Sequence, residues 1–180
     1  MWPMTATRTA LVVAGLAMAF IIYISNVLVQ MPINDWLTYG TFTFPLAFLV
    51  TDLTNRLYGS RNAYLVVFVG FIVGGILSIL AGDVRIGLAS VSAFLIGQVL
   101  DVTIFNKMRS LAWWKAPLVS SFIASAVDTA IFYTLAFSGQ DWPWQQVALG
   151  DFGVKVAMAL LLLVPFKLLI AWWAGNRAAA

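Results

Sequence analysis

Hydrophobic residues dominate the chain in six long stretches that are bounded by short polar interruptions. These stretches cover about residues 9–29, 37–58, 63–81, 86–105, 116–137 and 147–173. A helix needs about 20 mostly apolar residues to cross a bilayer, and each stretch has about that length. The connecting loops are short, and no linker or low-complexity segment divides the chain. The pattern therefore predicts an all-α, polytopic integral membrane protein with six transmembrane helices, folded as one domain over residues 1–180.

The composition agrees with this pattern and excludes several kinds of chemistry. Of the 180 residues, 62% are hydrophobic and only 9% are charged, whereas soluble domains are roughly 45–50% apolar and about 25% charged. The chain contains no Cys and no His, which removes disulfides, thiolate metal sites and histidine-based catalysis. An intramembrane enzyme is therefore poorly supported, and we expect neither a metal ion nor another cofactor.

The positions of the Lys and Arg residues predict an orientation. Short cytoplasmic loops of membrane proteins are enriched in these residues. If both termini are cytoplasmic, the inside carries Arg8, Arg56, Arg61, Lys107, Arg109, Lys115, Lys167 and Arg177. The outside then carries only Arg85, while Lys155 lies within the last span. The sequence pI near 9.5 is thus explained by orientation, and we expect a lipid bilayer rather than a nucleic acid as the surrounding partner.

Small residues recur at helical spacing on two of the predicted helices. They are Ala10, Ala14, Gly15 and Ala19 on the first helix and Gly70 and Gly74 on the third. Such faces allow helices to approach closely in lipid. Two interpretations stay open. The faces either pack within the chain or dock against another subunit, such as a second copy in a homodimer.

Polar side chains inside the predicted spans are the strongest indication of function. A carboxylate at the bilayer centre costs about 2.5–3.5 kcal/mol even on the insertion scale, yet most of the acidic residues, all of them Asp, lie there. The candidate site residues are Asp52, Gln98, Asp101, Asp128, Asp151 and Lys155, with Asn26 and Gln30 as weaker candidates. Together they predict a polar track across the membrane, as the path of a small molecule or ion requires.

Spacing predicts two local ion pairs among these residues. Asp52 lies one helical turn before Arg56, near the cytoplasmic end of its span, and Asp151 lies one turn before Lys155 in the outer third of the last span. Residues four apart on a helix are neighbours, so both pairs can form on one face. Two roles stay open for them: they either act at the mouths of a pathway or only orient the bundle.

Asp101 and Asp128 have no cation one turn away. We expect each to be hydrated, protonated, paired across helices or bound to a ligand. An ionised carboxylate accepts two hydrogen bonds at once, so a planar heterocycle with adjacent N–H groups suits such a site. The side chains available for stacking on its ring are Phe44, Phe94, Phe105, Phe132 and Tyr133. An inorganic cation fits less well, because no helix face carries two carboxylates.

Five polar strings stand out in chain order. They are TFTFPLAFLVTDLTNRLYG over 41–59, GQVLDVTIFNKM over 97–108, WWKAPLVSS over 113–121, SAVDTAIF over 125–132 and GDFGVKV over 150–156. In sequence, order and spacing they resemble the queuosine precursor transporter family, which is also described as a family of vitamin uptake transporters. The resemblance covers roughly residues 38 to 170, and the ordered set is specific although each string alone is weak.

This resemblance implies a six-helix protein of the bacterial inner (plasma) membrane without a catalytic step. It implies import of 7-cyano-7-deazaguanine or its 7-aminomethyl form, precursors of the tRNA nucleoside queuosine. The matching positions include all six of the stronger candidate residues. An alternative is the substrate-binding subunit of an energy-coupling-factor importer for a vitamin or nucleobase. The chain has no glycine-rich phosphate loop, so such a subunit would depend on a partner for ATP hydrolysis.

Overall fold

The computed structural model describes residues 4–34, 37–81 and 83–178. Its elements are α1 (Met4–Leu28), β1 (Pro32–Asn34), β2 (Leu37–Thr38), α2 (Gly40–Thr43), α3 (Pro45–Tyr58), α4 (Ser60–Ala81), α5 (Val84–Met108), α6 (Lys115–Phe137) and α7 (Trp144–Ala178). Within the described ranges, five helices, α1 and α4 to α7, are long and apolar enough to cross a membrane. The predicted all-α membrane fold is confirmed. The short antiparallel hairpin of β1 and β2 was not predicted.

The second predicted span differs from the others because it is divided in two. α3 has only 14 residues, fewer than the about 20 that a span needs, and α2 adds one short turn. The division falls at Phe44 and Pro45, since proline has no N–H to donate to the carbonyl of Thr41. Gly40 allows α2 to approach the end of α1, where a Cβ would lie 2.7 Å from the backbone nitrogen of Val29. The interrupted segment is largely buried inside the bundle.

The small residues of α4 determine how α1 packs. Gly70 lies against Met18 of α1, and a Cβ at Gly74 would lie 2.8 Å from the Cβ of Ile22 and 3.1 Å from the carbonyl of Ala19. The contacts advance in the same direction along both helices, so α1 and α4 run parallel. At these positions the small-residue face is therefore occupied within the chain, as the first of the two interpretations requires.

The two ends of the bundle carry different groups. At one end, which we call the basic end, α3 and α5 finish together. There Arg56 and Arg109 each donate from the guanidinium to the other's backbone carbonyl, over 2.9 and 2.8 Å. Lys167 of α7 lies at the same end, 5.1 Å from the ring centroid of Trp113. The opposite end, which we call the hairpin end, contains β1, β2 and Arg85 at the start of α5.

The bundle is apolar outside and polar inside. Large side chains such as Leu16, Phe20, Ile72, Leu161 and Leu168 are more than half exposed, as expected of a surface that faces lipid. Three apolar clusters hold the helices together. Between them lie buried Asp, Lys, Asn, Gln, Ser and Thr side chains. This reversal of the soluble pattern places the polar groups where the helices enclose them.

Candidate functional site

A buried ion triad lies between α6 and α7, nearer to the hairpin end. The Lys155 ammonium is 2.8 Å from Oδ2 of Asp128 and 2.7 Å from Oδ2 of Asp151. Thr129 completes the group, because its hydroxyl lies 2.9 Å from the ammonium and 3.2 Å from Oδ2 of Asp151. All four side chains belong to residues that are 5% exposed or less. We call them the upper cluster; with two carboxylates and one ammonium, it has one negative charge in excess.

The triad forms one wall of an enclosed space that we call the upper cavity. The rest of its lining consists of Ser25, Asn26, Val29, Gly40, Thr41, Phe44, Ser90, Ala93 and Phe132. The ring of Phe44 has its centroid 5.4 Å from the Lys155 ammonium. The cavity measures about 20 Å³, which is space for one water molecule. A purine-sized ring therefore enters only if side chains or helices around it move.

A larger vestibule opens beside the upper cavity at the hairpin end. It has a volume of about 870 Å³ and includes residues of both strands together with Gln30, Tyr133, Phe137 and Trp142. Val29 lines both spaces, so it lies at their boundary. Gln30 donates to the backbone carbonyl of Asn26 over 3.0 Å. The two weaker candidates thus lie in sequence along one route, Gln30 in the vestibule and Asn26 in the upper cavity.

A second buried polar group lies between α3 and α5, nearer to the basic end, and we call it the lower cluster. Asp52 and Asp101 lie at the same level of the contact between these helices, between the Thr51–Gln98 and Asn55–Val102 hydrogen bonds, and both residues are 3% exposed or less. Ser121 of α6 donates to Oδ2 of Asp52 over 3.4 Å, whereas Oδ1 of Asp52 and both carboxyl oxygens of Asp101 have no hydrogen-bond partner among the described residues. Within the described ranges, neither carboxyl group forms an ion pair with Lys or Arg.

Hydrogen bonds connect α3 to α5 on both sides of this carboxyl pair. Thr51 donates from its hydroxyl to Oε1 of Gln98, and Asn55 donates from Nδ2 to the backbone carbonyl of Val102 over 3.2 Å. Nε2 of Gln98 and Oδ1 of Asn55 are buried without a hydrogen-bond partner in the part of the chain that the structure describes. The two hydrogen bonds therefore hold α3 and α5 together, but several polar atoms of the lower cluster lack hydrogen-bond partners among the described residues.

Lys155 separates the two clusters. A lower cavity, also about 20 Å³, is lined by Asp52, Ser121 and Lys155 together with apolar residues of α3, α6 and α7. Lys155 lines the upper cavity as well. The three spaces are thus lined in turn by polar side chains from Gln30 to Asp52, and Lys155 borders both the upper and the lower cavity.

One of the two predicted ion pairs is wrong. Arg56 lies one turn after Asp52 but directs its guanidinium to the carbonyl of Arg109 at the basic end, whereas Asp52 is buried in the lower cluster. A long arginine side chain near a helix end reaches outward more readily than into a dry interior. The pair of Asp151 and Lys155 is confirmed at 2.7 Å.

The structure also separates the aromatic side chains that were considered for stacking. Phe44 and Phe132 line the upper cavity, and Tyr133 lines the vestibule. Phe94 packs edge-on against Phe44, with centroids 6.5 Å apart. Phe105 belongs to a separate apolar cluster. Only Phe44 and Phe132 are placed to contact a ring inside the upper cavity.

Several hydroxyl residues of the site were not selected from the sequence. Thr129 contacts Lys155 and Asp151, Ser121 contacts Asp52, and Thr51 contacts Gln98. Ser and Thr are common in packed membrane helices, so their presence alone carries no signal. The position of Thr129 beside an intramembrane Asp was the one available indication.

Comparison with known proteins identifies similar sequences. A family model described as "Putative vitamin uptake transporter" matches residues 38–82 and 76–170. A Haemophilus influenzae protein named "Probable queuosine precursor transporter" is 33% identical over an alignment of 199 residues, gaps included. The alignment covers 88% of this chain and 85% of that protein. The Escherichia coli "Queuosine precursor transporter" is 32% identical over 170 residues, covering 78% of this chain and 77% of that protein. No solved structure matches this chain.

Proposed function

The chain belongs to the queuosine precursor transporter family, whose model is described as one of vitamin uptake transporters, and we propose that it imports a 7-deazaguanine precursor of queuosine through the bacterial inner membrane. The imported base would serve tRNA modification. The observation that carries the proposal is the upper cavity, a polar pocket with a buried ion triad inside an apolar helical bundle. In this proposal the basic end faces the cytoplasm, in line with the distribution of Lys and Arg.

The lining of the upper cavity suits the chemistry of a deazaguanine. The guanine-like edge of the base presents adjacent ring and exocyclic N–H groups, and the carboxylate of Asp128 or Asp151 can accept two such donors. Phe44 and Phe132 provide apolar ring faces for stacking. Because the upper cluster has one negative charge in excess, we expect the cationic 7-aminomethyl form to bind more tightly than the neutral 7-cyano form.

Binding of the base requires a rearrangement of the triad. Both carboxylates contact Lys155, and the cavity has space for about one water molecule. The base would arrive through the vestibule and bind one of the two carboxylates in place of Lys155. Lys155 would keep its contact with the other carboxylate. A bundle that alternates access around a central site provides such a widening.

The remaining candidate residues take other positions in this proposal. Gln30 lies in the vestibule, where an incoming base passes first. Asn26 lines the upper cavity beside the triad. Asp52, Gln98 and Asp101 lie below Lys155 in the lower cluster, and we do not assign base recognition to them.

The proposal is tested by uptake of labelled 7-cyano- and 7-aminomethyl-7-deazaguanine into liposomes that contain only the purified protein. We expect saturable uptake that unlabelled deazaguanine inhibits and uracil does not. Asp128→Asn should abolish uptake. The matched control is Asp141→Asn, the same change in an exposed loop, which should retain it.

Two outcomes would contradict parts of the proposal. Failure of the wild-type protein to bind either base, measured by calorimetry in detergent, would remove the assigned substrate. Binding without uptake in the pure liposomes would instead favour a partner-dependent importer. The structure offers no support for that alternative at Gly15 and Ala19 of the small-residue face of α1, because Val69 and Gly74 of α4 pack there.

A further inference from the structure

The proposed function assigns no base recognition to the lower cluster, yet this cluster buries two carboxyl groups that have no ion pair among the described residues. Asp52 of α3 and Asp101 of α5 lie at one level, between the Thr51–Gln98 and Asn55–Val102 hydrogen bonds. Two ionised carboxylates buried beside each other away from water are strongly disfavoured, and one bound proton relieves this cost. A carboxyl group that has gained a proton also becomes a hydrogen-bond donor. The geometry therefore favours a state in which the pair holds at least one proton.

The charged groups around the pair do not replace that proton. On α3, Arg56 turns to the carbonyl of Arg109. From α6, the neutral hydroxyl of Ser121 donates to Asp52. From α7, Lys155 shares the lower cavity with Asp52, but its ammonium contacts both carboxylates of the upper cluster. Among the described residues, then, each nearby cation has another partner.

The unsatisfied oxygens of the two carboxyl groups give independent support. Oδ1 of Asp52 and both oxygens of Asp101 are buried without a hydrogen-bond partner in the described ranges. An ionised carboxylate requires donors, and burying it without them is costly. A bound proton removes a charge, so it lowers the cost of burying the pair.

We propose that Asp52 and Asp101 form a proton-binding carboxyl pair that couples import of the base to the influx of one proton. This inference rests on the proposed function. The pair takes up a proton from the outside while the upper cavity is loaded and releases it to the cytoplasm with the base. No bond of the base is made or broken, and the chain lacks a phosphate-binding loop that would supply another energy source.

The test measures protons and base together in liposomes loaded with a pH-sensitive dye and clamped to zero membrane potential. The 7-cyano base is used because it is uncharged. We expect added base to acidify the lumen, and a pH gradient of about one unit to support about tenfold accumulation, since a tenfold ratio matches one proton per base. Asp101→Asn and Asp52→Asn should keep exchange of base between the two sides but lose both acidification and accumulation. Asp141→Asn again serves as the control.

The outcomes separate this inference from the proposed function. The proton assignment is overturned if the wild type takes up base without a pH change, or if a sodium gradient drives accumulation instead. Either result leaves the proposed function, import of the base, unaffected. Absence of base uptake overturns the proposed function itself. Infrared spectroscopy of the wild type provides a readout that is independent of transport. The C=O band of a protonated carboxyl group should be present and should decrease in Asp101→Asn, and its absence at every pH at which the protein is folded overturns the inference.

Discussion

The upper and lower clusters each place two aspartates in the interior of the same bundle, and the four residues are buried to nearly the same degree. In the upper cluster, Lys155 contacts both carboxylates and Thr129 adds a hydroxyl. In the lower cluster, Ser121 donates a hydrogen bond to Asp52, and the described residues supply no ion-pairing cation. Burial alone therefore does not determine what an intramembrane carboxylate does, because its partners decide which charge state the protein can hold.

The largest effect should come from removing the cation that distinguishes the two clusters. Lys155→Met leaves Asp128 and Asp151 buried without compensation, and breaking a buried ion pair in this way typically costs about 3–5 kcal/mol. We expect uptake to be lost and the unfolding free energy in detergent to fall by that amount. Lys167→Met, which removes a cation at the basic end, is the control and should change the unfolding free energy by less than about 1 kcal/mol.

The same variant can be extended to neutralise the whole upper cluster. Combining Lys155→Met with Asp128→Asn and Asp151→Asn removes all three charges, and replacement of an ion cluster by neutral groups is often close to neutral for stability. We expect the unfolding free energy to recover while uptake stays absent. If stability does not recover, packing of the lysine stem rather than charge compensation explains the first result.

The next largest difference between the two clusters should be in the dissociation constant for the base. Asp128→Asn removes an ionised acceptor from the upper cavity, and a hydrogen bond to a charged group is worth about 1.5–3 kcal/mol. The dissociation constant for the base, measured by calorimetry, should therefore rise about 10- to 100-fold. Asp101 lies outside that cavity, so Asp101→Asn should change the dissociation constant for the base by less than about threefold. Equal losses for the two variants would mean that both clusters bind the base.

The stability effect of the same two variants should differ in size. In the proposed state the pair of Asp52 and Asp101 holds one proton, and Asn mimics a protonated carboxyl group, so Asp101→Asn should change the unfolding free energy by less than about 1 kcal/mol. Asp128→Asn removes a partner of Lys155 and should lower it by more. Chemical unfolding in detergent measures both. A decrease beyond this range for Asp101→Asn would show that its ionised form is compensated by a group outside the described residues.

The smallest effect is expected from the hydroxyls. Thr129→Val removes a group that contacts both Lys155 and Asp151 within 3.2 Å, and we expect a loss of about 0.5–1.5 kcal/mol in unfolding free energy. Ser121→Ala removes a longer hydrogen bond of 3.4 Å to Asp52, and we expect a smaller loss. The reverse order would indicate that the lower cluster depends more on its hydroxyl than the upper one does.

Local sequence spacing predicted part of the site and misled elsewhere. The contact of Asp151 with Lys155 is confirmed because both residues lie on one helix, where one turn fixes their separation. The same spacing predicted a pair between Asp52 and Arg56 that does not form. Spacing along a helix does not reveal a competing acceptor on another helix, here the carbonyl of Arg109.

The contacts between helices could not be derived from hydrophobic periodicity. Six apolar stretches predicted the membrane fold, and five of them correspond to long helices. The interruption of the second at Pro45 follows from proline chemistry, but the placement of that interruption against the upper cavity depends on how α1 and α7 pack around it. For the same reason, Lys155 was assigned to Asp151 alone, and its contact with Asp128 on α6 was not foreseen.

The polar bonds between α3 and α5 have a mechanical consequence. Hydrogen bonds join the two helices at successive levels. They connect Thr51 with Gln98, Asn55 with the Val102 carbonyl, and Arg56 with Arg109 at the basic end. We expect helices joined in this way to move together, so that the proposed transport would slide α7 past them rather than separate them. The carboxyl pair would then keep its geometry within this rigid unit, while Lys155 on α7 would change its position relative to the pair.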